Sequence, residues 1–239
     1  MKFRSKEEIE KWVNGQDWYQ TIKLSNGIVT PGKFNNRKRD RFFDDIDFRG
    51  KSFLDVGCNS GQYCLMAKTR GASHVVGIDI NDKRLEQAKV LASIEKLDIE
   101  FKRKGIFEIK GLGKFDLVFC IAILTEIQDF FGSIEILKSL IGGHGFVELD
   151  LAKPVFYLSR SKTWKKGKRR GGIPRMKAVT EVRYVNGQVM MSPSIEVLSQ
   201  AFGEEFQLQY LGNGPRYDMI KVAKISPCQY LSQNQSCLP

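Results

Sequence analysis

The residues best placed to do chemistry are a glycine turn and the carboxylate that follows it. Ser52-Phe53-Leu54-Asp55-Val56 reads as a short buried strand, and Gly57-Cys58-Asn59-Ser60-Gly61 turns it into a helix starting near Gln62. Gly57 and Gly61 lack a Cβ, so the backbone can turn sharply and a ligand can come close. Asn59, between them, tolerates positive φ better than most residues. A second apolar strand, Val75-Val76-Gly77-Ile78, ends at Asp79, 22 positions after Gly57. A carboxylate at that strand end can accept both hydroxyls of a ribose. The combination predicts a site for a nucleoside-bearing cofactor, with Asp55, Gly57, Cys58, Asn59, Gly61, Asp79 and Ile80 around it. The alternative is an ordinary α/β turn that holds nothing.

Other side chains could act on a substrate. Glu126 follows the fourth strand and is the first candidate for substrate contact or general base; the alternative is a solvated or helix-capping acid. Glu148 and Asp150 share one face of the fifth strand, so both are catalytic candidates, one of them expected to be structural. His144, after Gly142-Gly143, reads as a surface turn residue. Trp18 and Tyr19 either wall a flat substrate or anchor the N-terminal segment. The stretch from Ser159 to Gly172 has many cations, no acid, a Trp and glycines. That mixture suits phosphate contact with base stacking, which makes Lys162, Trp164, Lys165, Lys166, Arg169 and Arg170 candidate substrate contacts. The plainer reading is a solvated loop. Arg37, Lys38, Arg39 and Arg41 would extend the same surface.

The bulk composition narrows the classes. A net charge of +11 and a pI near 9.4 favour a nucleic acid or an anionic small substrate, although excess Lys also serves solubility. Five cysteines without a Cys-x-x-Cys pair, and only two histidines, argue against a disulfide framework and against a bound metal. A reducing cytoplasm is the expected location. The charged start lacks a signal-peptide core, and no apolar run reaches the ~20 residues of a membrane span.

These residues need elements to hold them. Ser5 caps a helix through Ile9, Trp12 and Val13; Asn26-Gly27 is a turn; Phe34 to Ile46 has helical spacing. Asp82 is expected to cap a helix through Leu85, Ala88, Leu91 and Ile94. Strands follow at Ile99–Phe101, Phe115–Cys120 and Phe146–Leu151, with a helix near Ser133–Ile141. Asn186-Gly187 joins a hairpin, Ser194–Phe202 is a helix, and Phe206–Leu211 and Tyr217–Ile225 are closing strands. The fold class is α/β, a Rossmann-like sheet, mostly parallel with an antiparallel C-terminal edge pair and helices on both faces. The expected divisions are an extension over the site at 1–50, an α/β core at 51–153, a basic insertion with hairpin at 154–192, a closing unit at 193–226 and a tail at 227–239.

A dinucleotide fingerprint would place glycines where this chain has Asn59 and Gln62. The Asp-x-Gly-x-x-x-Gly form of Asp55, Gly57 and Gly61 instead resembles motif I of class I S-adenosylmethionine (SAM) methyltransferases. Trp18-Tyr19-Gln20-Thr21-Ile22, running to Thr30-Pro31-Gly32, resembles the segment ahead of that motif in the tRNA wobble-uridine methyltransferases, the 5-methoxy and 5-carboxymethoxyuridine group. The resemblance implies SAM as cofactor, with Asp55, Gly57 and Gly61 at its methionine end and Asp79 at its ribose. It also implies that Ile106, Cys120 and Ile121 border the adenine and the sulfur. RNA, with tRNA the example, is the implied partner. The rivals are an O- or N-methyltransferase of a sugar or other small metabolite, and an RNA-binding protein without catalysis; a carboxymethyl donor is a further variant. Three positions depart from the group: Gln20 stands for His, Gly105-Ile106 for an acidic residue, and Thr125-Glu126 for Tyr-His.

Overall fold

The computed structural model describes residues 3–35, 37–149, 151, 180–185, 188–213 and 217–225. Alternation along each strand builds the layers. Phe53, Val75, Leu117, Phe119 and Phe146 point to one face, where Tyr63, Cys64 and Ala67 of α3 (Gln62–Thr69) and Leu85 of α4 (Asp82–Glu95) meet them. Leu54, Val56, Val76, Ile78, Val118, Val147 and Leu149 point the other way. They pack on α5 (Phe130–Leu140) and α6 (Ile195–Phe202). Burial on both faces explains why these strands read as continuous apolar runs. Each fully buried Leu or Phe contributes about 1.5–3 kcal/mol, so this double-sided core dominates stability.

The strands are β1 (Ser52–Val56), β2 (His74–Asp79), β3 (Glu100–Arg103), β4 (Phe115–Ile121), β5 (Ile141–Leu149), β6 (Thr180–Val185), β7 (Gln188–Pro193), β8 (Phe206–Asn213) and β9 (Asp218–Lys224). One sheet runs β3-β2-β1-β4-β5-β9-β8; β1 to β5 are parallel, and β9 lies antiparallel between β5 and β8. β6 and β7 form a separate antiparallel pair. Its Asn186-Gly187 turn lies outside the described residues. No helix among the described residues is long and apolar enough to cross a membrane.

The N-terminal residues form their own cluster. α1 (Lys6–Asn14) is capped by Ser5, whose hydroxyl accepts from the Glu8 amide, and Val13 joins Trp18, Ile22, Leu24 and Ile28 against Leu65, Leu91 and Ala92. Phe43 then packs 4.4 Å from Phe119, centroid to centroid, which fixes the segment to the sheet.

Some local expectations change. The Phe34–Ile46 stretch is not one helix but α2 (Arg37–Asp40) and a 3-10 turn at Arg41–Phe43. Phe34 is pinned before it: its N–H donates to Tyr19 O (3.0 Å) and its O accepts from Thr21 N (2.9 Å). Asn81, not Asp82, caps α4, its side chain accepting from Arg84 N. β5 begins at Ile141, earlier than expected, and takes in Gly142-Gly143. A Cβ at Gly143 would lie 2.6 Å from Asp116 O, so the glycine pair permits close strand pairing rather than a turn. His144 is therefore a half-buried strand residue opposite Leu117 and Ala223. Burial first, then Lys221 and Lys51, pushes its pKa down.

Candidate active site

The order of strands reverses between β1 and β4, and a cleft of about 400 Å³ opens at the carboxyl ends of those strands. Its floor is the glycine turn. Gly57 N and Cys58 N both donate to Ile78 O (2.9 and 2.8 Å), tying the turn to β2. Gly57 (φ 76°), Asn59 (φ 50°) and Gly61 (φ 82°) all take left-handed backbone. At Gly57 a Cβ would sit 2.3 Å from Ile123 Cδ1, so close approach and conformation both require glycine there.

Asp79 stands at the end of β2 and lines the cleft. Its Oδ2 accepts from Asn59 N (2.8 Å) and its Oδ1 from Asn81 N (2.9 Å). Each carboxylate oxygen has a second lone pair, so the fixed carboxylate can still accept two hydroxyls. That fits a ribose diol. Asp55, on the α3 face, is buried, and burial first, with the Asp79 charge second, pushes its pKa up to about 7. Cys64 donates to its Oδ2 (3.8 Å), and Arg39 offers opposing positive charge. A cationic group entering here would favour the ionised form. The donor set fits the SAM that the resemblance implies: a diol acceptor, a carboxylate for an ammonium and a glycine floor.

The opposite wall comes from β4. Ala122 has φ 58°, a left-handed conformation that costs a non-glycine residue about 1–2 kcal/mol. It is held by its N–H to Glu148 O (3.0 Å), and it re-aims the chain into the 3-10 turn Leu124–Glu126. Glu126 thereby lines the cleft with Ile121 and Ile123. β7 packs beside this turn.

The N-terminal segment closes a third side with Tyr19, Gln20, Phe34 and Arg39. Tyr19 and Phe34 form a tilted aromatic pair 4.5 Å apart. Arg39 reaches inward: Nε to Glu148 Oε1 is 3.1 Å and Nη2 to Glu148 Oε2 is 2.6 Å, with Tyr63 Oη 3.5 Å from Nη1. Glu148 is fully buried. The pair clamps the extension to β5.

Of the sequence candidates, Asp55, Gly57, Asn59, Asp79, Ile80, Ile121, Glu126 and Tyr19 line the cleft together. Others do not. Cys58 is buried behind the turn; Gly61 starts α3 under Ala88 and Phe101. Cys120 alternates to the α5 face, where burial pushes its thiol up, and Ile106 packs into that same core. Glu148 does not line the cleft; both its oxygens are bound by Arg39, which makes it a clamp residue. Trp18 is an anchor: its indole N–H donates to Val13 O (2.7 Å) and its ring meets Trp12 edge-on. Asp150, Lys162, Trp164, Lys165, Lys166, Arg169 and Arg170 lie outside the described residues. The sequence reading missed Arg39 as a cleft residue, along with Tyr63, Phe34 and Ile123. The aromatics at 34 and 63 carry no spacing signal. Arg39 sits in a basic run that reads equally well as surface.

Residues 47–152 match the family model described as a methyltransferase domain. The chain also aligns with curated proteins. A tRNA U34 carboxymethyltransferase of Campylobacter lari is 30% identical over 144 residues, covering 60% of this chain and 48% of that protein. A ubiquinone biosynthesis O-methyltransferase of Marinobacter nauticus is 30% identical over 130 residues, 52% of this chain and 54% of that one. The chain thus spans about half the length of these relatives. Among solved structures, the N-terminal domain of EvdMO1 with S-adenosylhomocysteine and D-fucose superposes with a TM-score of 0.66 at 13% identity. That match covers 94% of this chain and 98% of the other, and it is a likeness of fold.

Proposed function

We propose that this chain is a SAM-dependent methyltransferase whose acceptor is a nucleoside in RNA, tRNA being the example. The observation that carries the cofactor reading is Asp79, fixed by the Asn59 and Asn81 amides beside a glycine floor and facing the cleft. SAM supplies an electrophilic methyl on a sulfonium that departs as a neutral thioether. Asp79 holds the ribose hydroxyls, Ile80 borders the adenine, and Asp55 with Gly57 meets the methionine end. Tyr19 and Phe34 wall the acceptor, and Glu126 accepts its proton when the nucleophile must lose one. Alignment of the reacting atoms supplies the larger share, about 7–11 kcal/mol of barrier, and a base roughly 10²–10⁴-fold in rate.

The RNA reading is supported by the name of the Campylobacter relative and by the net charge of +11. The basic stretch holding Lys162, Trp164, Lys165, Lys166, Arg169 and Arg170 precedes β6 in sequence, and β7 borders the Glu126 turn. We propose those side chains as phosphate and base contacts, and the cytoplasm as the place of work. A second reading, methyl transfer to a sugar or other small hydroxylated metabolite, is favoured by the D-fucose complex of EvdMO1 and by the O-methyltransferase relatives.

The test is transfer of a labelled methyl from SAM to total cellular RNA and, separately, to a low-molecular-weight extract. Acid-precipitable label that ribonuclease removes is expected. Label confined to the small-molecule fraction overturns the RNA acceptor in favour of the second reading.

A further inference from the structure

Among the described residues, three buried side-chain atoms have no hydrogen-bond partner: Gln20 Oε1, Thr125 Oγ1 and His144 Nδ1. His144 stands near the start of β5, at the end of the sheet away from the cleft, and Thr125 does not line it. Gln20 does, although the residue is buried, at 7% exposure. A buried amide carbonyl without a partner is costly, so such groups call for an explanation.

The backbone beneath Gln20 is fixed from several sides. Thr30 Oγ1 donates to Gln20 O (2.7 Å) while accepting from Ile22 N (2.7 Å). Thr21 Oγ1 donates to Gly32 O (2.9 Å), and a Cβ at Gly32 would lie 2.1 Å from the Gln20 carbonyl carbon. Thr30-Pro31-Gly32 is therefore a cradle that seats one residue, and the Oε1 of that residue has no partner among the described residues. Tyr19 and Phe34 flank it, and all three line the cleft with Glu126.

We infer that Gln20 positions the acceptor, its carboxamide pairing with a neutral polar edge next to the methylated atom. The inference rests on the proposed transfer reaction and names the residue that selects its acceptor. A carboxamide offers a donor and an acceptor in one plane, which suits the amide-like edge of a nucleobase stacked on the neighbouring aromatic wall. Its last torsion is soft, and among the described residues no group holds the oxygen back from turning to the ligand. Gln20 acts by orienting the acceptor and takes no proton.

Gln20→Leu and Gln20→Asn test this, each read for thermal midpoint, SAM affinity by calorimetry, and methyl transfer to total cellular RNA at low and high RNA. Gln20→Leu should keep or raise the midpoint, because it removes an unsatisfied polar atom, and should hold the SAM dissociation constant within about twofold, no contact to SAM being removed. Its transfer rate at low RNA should fall about tenfold and recover toward the parent at high RNA. Gln20→Asn, which keeps the amide but withdraws it, should lie between. A lower midpoint with parent-like transfer, or a loss of SAM affinity matching the loss of rate, overturns the inference. If the parent labels only the small-molecule extract, the RNA acceptor fails. The same variants are then read on that extract, where a tenfold loss sustains Gln20 and a parent-like rate overturns it. No label in either fraction overturns both.

Discussion

Removing Arg39 tests the clamp that ties the N-terminal extension to the sheet. In Arg39→Met, Glu148 loses contacts of 3.1 and 2.6 Å and remains a fully buried carboxylate without that guanidinium. Breaking a buried pair from one side costs about 3–5 kcal/mol, mostly the buried charge it leaves less compensated. In a domain of this size each kcal/mol lowers the midpoint by about 2–4 °C, so the expected drop at pH 7 is roughly 6–20 °C. Buried and without the Arg39 charge, Glu148 would take up a proton more readily in the folded state than in the unfolded one. The deficit should therefore shrink as pH falls toward 5. Adding Glu148→Leu to Arg39→Met removes the charge and should bring stability back to within about 1 kcal/mol of the parent. Urea unfolding of parent, both single variants and the double variant closes the cycle. A single-variant loss below about 1 kcal/mol, or a double variant no better than Arg39→Met, refutes the clamp.

Other outcomes follow from the same geometry. Asp55 has a folded pKa of about 7 against 3.8 for the free group, so the ligand-free protein binds the extra proton between those values. Its stability contribution is complete below pH 3.8 and is lost as pH rises through 7; Asp55→Asn should flatten that part of the unfolding profile, and an unchanged profile would contradict it. Glu126→Gln should slow methyl transfer at least tenfold with SAM affinity little changed if the acceptor must be deprotonated, whereas equal activity would make Glu126 structural. Gly57→Ala strains a backbone at φ 76° and drives Ile123 out of its place, so it should weaken SAM binding in calorimetry; parent-like affinity would remove the glycine floor from the account.

The sheet was legible because burial on both faces writes itself as apolar runs, as at Phe53–Val56 and Phe115–Ile121. Asp79 was legible for the same reason: its place at a strand end follows from the run before it. What remained hidden depends on contacts between distant segments. Arg39 and Glu148 are 109 positions apart, and nothing local to either residue announces the pair. Gly142-Gly143 misled because glycines that admit a neighbouring strand look the same in sequence as glycines that turn. Thr30 and Gly32 read as part of a resemblance; their physical role, seating Gln20, emerges only when residues 20 and 32 are seen to touch.

The most direct test of the central claim is calorimetric titration of the purified chain with SAM, beside Asp79→Ala. The account predicts binding at one site, weakened by about 1.5–3 kcal/mol in the variant through loss of a charge-assisted contact. Absence of binding in the parent, or equal affinity in the two proteins, would contradict it.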